Sequence, residues 1–333
     1  MPATWNGQLF GLLSAILACG TASVCQPQPD AQPALTQTRV SERDLQRLIE
    51  IERGRLDERD RRIVAELAGL DRATLADGDW AKEWAGTYYT GDGLGMNVTI
   101  KLAPKAGVAY TWHGCMGLYD ANHGDIVEPF NDGVVVRMAI NTQASIYSFM
   151  SEKLYFVRWG ERRYLVPEAK MLQLINNYNE GGYARREMYS IPLRFEEQVE
   201  RTHRTEPPGR PQLPPEYARL IIEKPLRLKI SKVTSQPPRE VTPGVEVTKC
   251  AIEFEGGQDQ GVFIGMEMPF ECGRTSGKIR IDLVNATSAT GTLSLYAAQG
   301  ETLELPIVGR VLSFPGAKPD ELVAPQSAAK KPG

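Results

Sequence analysis

Four reactive side chains fall within the stretch His113–His123: His113, Cys115, Asp120 and His123. His113 and Cys115 are two residues apart, so on a strand they face the same side. His123 lies beyond Gly117 and the tetrapeptide Tyr119-Asp120-Ala121-Asn122, which reads as a turn that brings it back toward the pair. A zinc or copper site would draw on His113, Cys115 and His123, completed by Asp120 or Asp125. A cysteine nucleophile would instead pair Cys115 with a histidine and need a lowered thiol pKa. No fourth dedicated ligand pair and no established ligand spacing accompanies the group. The expected role is therefore structural, and no metal is assigned. Asp92, Asp120, Asp125 and Glu128 hold enough carboxylates for glycoside hydrolysis, but acidic residues recur in turns for conformational reasons. Thr90-Gly91-Asp92-Gly93-Leu94-Gly95 lacks the G-x-G-x-x-G spacing and precedes a strand pattern rather than a helix. No G-x-S-x-G or H-E-x-x-H pattern occurs. The reading is non-enzymatic, with no catalytic residue and no cofactor named.

These side chains must be positioned by strands. Between Trp80 and Pro167 apolar residues alternate with polar ones, as in Val98-Thr99-Ile100-Lys101-Leu102. Strands are expected over 84–90, 97–103, 108–115, 124–130, 134–139, 154–159 and 163–166. Asn131-Asp132-Gly133 reads as a hairpin turn. Short links favour an antiparallel meander, and exposed edges favour its curling or closing. The opening Trp84-Ala85-Gly86-Thr87-Tyr88 resembles the first strand of lipocalin-like barrels. That resemblance implies a lumen, and Tyr110, Trp112 and their aromatic neighbours would line it for a small apolar or carbohydrate ligand. Residues 168–180 form an amphipathic helix ended by Gly181-Gly182. Arg162 and Arg163 at a hairpin turn read as solvated charge, with anion recognition as the functional alternative.

Upstream, residues 42–68 lack proline, and Ile49, Leu56, Ile63 and Leu70 fall at seven-residue spacing, with Ser41 as the N-cap. Glu52, Arg59 and Glu66 interrupt the seam that a coiled coil would need. A charged helix laid on the following domain is expected, and a self-associating stalk is the alternative.

A Pro-rich linker at 201–216 separates a second β domain at 217–314. Its segment Gly257-Gln258-Asp259-Gln260-Gly261-Val262-Phe263-Ile264-Gly265-Met266, followed by Gly277-Lys278-Ile279-Arg280-Ile281, resembles the small β-barrels of the rod-shape-determining protein C type and of flagellar assembly lipoproteins. The resemblance implies a barrel used for scaffolding, and no catalytic residue travels with it. Its glycines would supply positive φ at a corner, and Val262 would re-enter the core. Cys250 shares a face with Ile252 and Phe254, and Cys272 shares one with Met268 and Phe270, so a Cys250–Cys272 disulfide is expected if the strands pair.

Residues 9–18, LFGLLSAILA, form an apolar run of signal-peptide length, shorter than a membrane span. Ile16-Leu17-Ala18-Cys19 resembles the lipobox of bacterial lipoproteins, which implies cleavage before Cys19 and its lipidation. Residues 1–18 are then a signal peptide, 19–40 a disordered tether, 41–76 the charged helix, 80–200 the first β domain and 315–333 a disordered tail. With 38 basic and 41 acidic residues the chain carries a formal charge of −3, which argues against nucleic acid as a partner. The expected fold is mainly β with a few helices: an antiparallel lipocalin-like barrel or curled meander, then a smaller barrel. The expected role is that of an exported envelope protein, anchored by lipid at Cys19 on the periplasmic or extracellular face and engaged in binding or structural assembly. Its partners would be the membrane, through that lipid, and an envelope protein or small apolar or carbohydrate ligand. The alternatives are a secreted soluble form, a lipocalin-like ligand binder, and a metal or thiol enzyme centred on His113, Cys115 and His123.

Overall fold

The computed structural model describes residues 42–91, 95–115, 117–140, 150–180, 191–195 and 209–316. The lipobox with Cys19, the tether, Ser41, Asp92 and the tail from 317 lie outside these residues. The described chain divides into two units. One holds 42–156, 163–169 and 191–195; the other holds 157–162, 170–180 and 209–316.

The first unit is built on a closed antiparallel barrel of strands β1 (Gly86–Gly91), β2 (Met96–Ala103), β3 (Gly107–Gly114), β4 (Gly117–Phe130), β5 (Gly133–Met138), β6 (Lys153–Trp159), β7 (Arg162–Pro167) and β8 (Leu193–Arg194). Strand alternation dictates the layers. Val98, Ile100 and Leu102 point inward with Tyr88, Tyr110 and Leu154, and all six are fully buried. An eight-stranded barrel has an interior just wide enough for such side chains to fill. The first strand begins two residues later than its sequence suggests, because a short helix, α2 (Trp80–Trp84), precedes it. Asp79 caps its N-terminus by accepting from the Ala81 amide at 2.9 Å. Arg72 donates to the carbonyls of Ala81, Lys82 and Ala85, and Arg163 to that of Glu83 at 3.1 Å. Arg72 and Arg163 thus satisfy carbonyls at a helix end. Trp84 stacks on Phe156 with ring centroids 4.8 Å apart.

Helix α1 (Glu42–Gly69) lies on the outside of this barrel. Its seven-residue stripe, Ile49, Leu56 and Ile63, is buried against Ala103, Ala106, Ala109 and Ala121. Small residues let the helix approach the strands closely. The charged positions that interrupt a coiled-coil seam complete this one. Glu52 faces His123, Arg59 donates to the Ala106 carbonyl at 2.7 Å and to Asp125 at 2.8 Å, and Glu66 accepts from the Lys105 and Ala106 amides. The helix is therefore laid on the barrel and not left as a bare stalk.

The second unit is a curled antiparallel sheet that nearly closes. Its strands are β9 (Leu226–Ser235), β10 (Arg239–Thr242), β11 (Val245–Glu255), β12 (Glu267–Cys272), β13 (Thr275–Val284), β14 (Ser288–Ala298) and β15 (Val311–Phe314). Their order is β12-β13-β14-β11-β9-β15, with β10 beside β11. Leu228, Ile252, Phe254, Met268, Phe270 and Phe314 form its core. The Gly257–Met266 segment is the loop from β11 to β12. Gly261 adopts φ +88° and Gly265 φ +83°, a region costly for residues with a Cβ, and Val262 returns to the core at 3% exposure. The sequence places a strand over 261–270; the loop delays its start to Glu267.

Helix α3 (Glu168–Asn179) follows the first barrel in sequence, yet from Lys170 onward it groups with the second unit. Buried asparagines hold it there. Asn176 donates to the Gly265 carbonyl at 2.9 Å and accepts from the Glu267 amide at 3.2 Å. Asn179 donates to the Leu220 carbonyl and accepts from the Ile222 amide, each at 2.9 Å.

The expected Cys250–Cys272 disulfide does not form: both residues are free thiols. Cys250 lies in a cross-strand row with Leu293, Ile279 and Met268. Cys272 is on β12, three strands away from β11, and four residues beyond Met268. Measured along the sheet, that separation is about 20 Å from the standard strand spacings, and a bridge needs Cα atoms within about 7 Å. Cys272 instead approaches Glu304 at 3.5 Å.

Candidate functional site

The four candidate residues of the first barrel sit on the β3–β4 hairpin. The expected turn at Tyr119–Asn122 is absent. The chain turns at Cys115 and runs straight through 119–122 as part of β4, with a register shift between Trp112 and His113. Strand parity then decides where each side chain goes. Asp120 stands opposite Trp112 and faces the barrel interior. His123 stands opposite Ala109 and faces the outer layer under α1. His113 is exposed at the edge of a groove between α1 and strands β2–β3, whose wall includes Asp57, Asp60 and Lys101. Cys115 is exposed in the hairpin turn. Asp120 and His123, three residues apart on β4, face opposite sides of the sheet, and among the described residues no three His, Cys, Asp or Glu side chains gather as a ligand set. The expected cluster is thus dispersed over both faces of the sheet.

The same geometry separates the carboxylates. Asp125 is engaged by Arg59 outside the barrel. Glu128 is exposed farther along β4, while Asp120 is sealed inside. These groups do not flank a common cleft.

Asp120 is the electrostatically unusual member. Its relative exposure is 0%. Burial pushes its carboxyl up from 3.8 to about 7, against the opposing pull of the Tyr110 hydroxyl and the Ala121 amide. Loss of hydration penalises the anion more than those two donors favour it. The Trp112 Nε1 donor, on the residue across from Asp120, is also buried and has no acceptor among the described residues. On β4 the neighbouring Asn122 does what a sheet ladder would do. Its side chain donates to the Ile140 carbonyl at 2.7 Å and accepts from the Ile140 amide at 3.0 Å. His123 Nε2 lies 3.4 Å from Glu52 Oε2, and Glu52 also accepts from Arg55 at 2.9 Å. The hairpin can hold a proton at a buried carboxyl and pin a helix to a barrel.

A feature absent from the sequence reading lies at one end of the second sheet. A cavity of about 290 Å³ opens there, walled by Pro237, Pro238, Leu303 and Leu305, with Glu246 and Glu301 among its lining residues and Thr248 among its deepest. The alternation of Glu246, Thr248 and Cys250 on β11 places all three on the inner face. The signal in the sequence was slight: two polar residues, Glu246 and Thr248, at one end of an otherwise apolar inward row.

No known protein family and no curated protein matches the chain. Among solved structures, MucB in complex with MucA(peri) aligns over 64% of this chain and 87% of its own, at 9% identity and a TM-score of 0.14. A score that low carries no argument about shape or role, so the assignment of the fold rests on the strands themselves.

Proposed function

We propose that the chain is an exported cell-envelope protein, anchored by lipid at Cys19, that works by binding or structural assembly and not by chemistry. The observation that carries the second half of this reading is the separation of Asp120 from His123 and His113 on opposite faces of one sheet. A barrel whose interior is filled by Tyr88, Val98, Ile100 and Tyr110 supports a role carried on outer surfaces. The Ile16-Leu17-Ala18-Cys19 run supports the anchor, since a single lipidated end holds a folded body at a membrane surface. Metabolic labelling with a tagged fatty acid tests it. The native chain is expected to take up label and Cys19→Ala to lose it; equal label in both would defeat the anchor.

A further inference from the structure

We propose that the paired strand ends Trp112–Gly114 and Gly117–Asp120 form a latch on the first barrel, shut while the Asp120 carboxyl holds a proton and released when the proton is lost. Asp120 is fully buried, and neither of its oxygens has a well-formed hydrogen bond among the described residues. The buried Trp112 Nε1, on the residue directly opposite, is likewise unmatched by an acceptor there. Buried polar groups are ordinarily paired, so this end of the barrel is closed without being satisfied. A charge at Asp120 has nothing to meet. The row across Trp112 brings Val98 from β2, and β3 adds Tyr110, whose hydroxyl draws on the carboxyl by less than burial opposes it. Asn122, next inward on β4, spends its amide on Ile140. The buried cation Arg194 donates to the Glu83 carbonyl, ahead of β1. His113 is exposed, while His123 meets Glu52 and Arg59 meets Asp125 on the outer face. An anion at Asp120 therefore sits in the interior with neither cation nor water, and hydration is what relieves it.

The strand pair is built to give way at this point. Its register shifts between Trp112 and His113, which interrupts the ladder. Beyond the shift, closure rests on Tyr119. Its ring lies over Gly114, so closely that a Cβ there would stand 1.8 Å from the ring, and it meets Trp112 edge to face at 5.7 Å between centroids. The Gln46 side chain donates to the Tyr119 carbonyl at 2.8 Å and ties the latch to α1. Parting the two strand ends brings water to Asp120 and to Trp112 Nε1 together, so one movement satisfies both. Burial holds the carboxyl at about 7 while the latch is shut, and hydration returns it toward 3.8. Release is thus favoured progressively from about pH 4 to about pH 7, and no further above that.

The test is hydrogen exchange of the full chain in detergent, resolved to single amides and corrected for intrinsic rates, from pH 5 to pH 8. Exchange at 112–114 and 117–120 is expected to quicken about tenfold between pH 5 and pH 6 and to level off above about pH 7. Asp120→Asn should make that profile flat. Asp125→Asn, which changes an exposed carboxylate on the same strand, should leave the profile as it is. Urea at about 1 M separates the latch from whole-barrel unfolding, since a local opening exposes little surface. Exchange at the strand ends should not respond to it, while exchange at 154–157 in β6 should quicken. A flat profile in the native chain, a rise that survives Asp120→Asn, or strand-end exchange that answers urea as steeply as β6 overturns the proposal. The native pH profile and the urea comparison decide it by themselves should Asp120→Asn fail to fold.

Discussion

Asp120→Asn isolates a buried carboxyl whose proton affinity the barrel changes. In the folded chain burial raises this group from 3.8 to about 7. The difference between 3.8 and about 7 corresponds to about 4 kcal/mol between the protonation states. The folded state holds the proton more tightly than the unfolded state, so folding stability falls as pH rises. The stabilisation is complete below pH 3.8, declines between there and about 7, and is gone above that value. Asparagine has nearly the shape of the protonated acid and cannot ionise. Urea unfolding of the native chain and of Asp120→Asn, followed by tryptophan fluorescence from pH 4 to pH 8, reads the difference directly. All other titrating groups are common to both proteins and cancel. The two curves should nearly coincide at pH 4 and diverge with pH, until the variant is more stable by up to about 4 kcal/mol at pH 8. Parallel curves, or a variant that loses ground as pH rises, would refute the burial argument.

Ile63, fully buried under α1, should cost about 2–5 kcal/mol when changed to alanine, seen as a lower urea midpoint. An unchanged midpoint would mean that the helix does not dock through this stripe. Asn176→Ala strips partners from the Gly265 carbonyl and the Glu267 amide, with an expected loss of about 1–3 kcal/mol, whereas an exposed control such as Lys232→Ala should stay within about 0.5 kcal/mol. Peptide mapping of the chain alkylated in denaturant without reductant should recover Cys250 and Cys272 as separately alkylated peptides. A Cys250–Cys272 cross-linked peptide would contradict the strand order.

Much of the architecture was legible because local pattern and tertiary layer agree. The alternation from Val98 to Leu102, the Asn131-Asp132-Gly133 turn and the 49/56/63 stripe each appear where spacing places them. The seam residues Glu52, Arg59 and Glu66 show why the helix is no coiled coil: their charges are met by barrel groups that a second helix would not supply. The candidate site was misread at one point. Asp and Asn disfavour strands, so Tyr119–Asn122 reads as a turn. In the fold, Asn122 finds strand-like partners on Ile140, and Asp120 packs across from Trp112. Those contacts come from residues distant in sequence, and they convert a converging trio into a dispersed one. The same blindness hides β8, a strand of two residues, and the attachment of α3, which depends on asparagines finding backbone groups about 40 and 90 positions away. The disulfide failed for a related reason. Shared facing tells that two cysteines look into one core, but strand order decides whether they meet.

The most direct test of an envelope protein held by its N-terminus is the intact mass of the chain purified from its native membranes. The account predicts a polypeptide that begins at Cys19 and carries the added mass of lipid. A polypeptide that still begins at Met1, recovered without lipid from the cytosolic fraction, would contradict it.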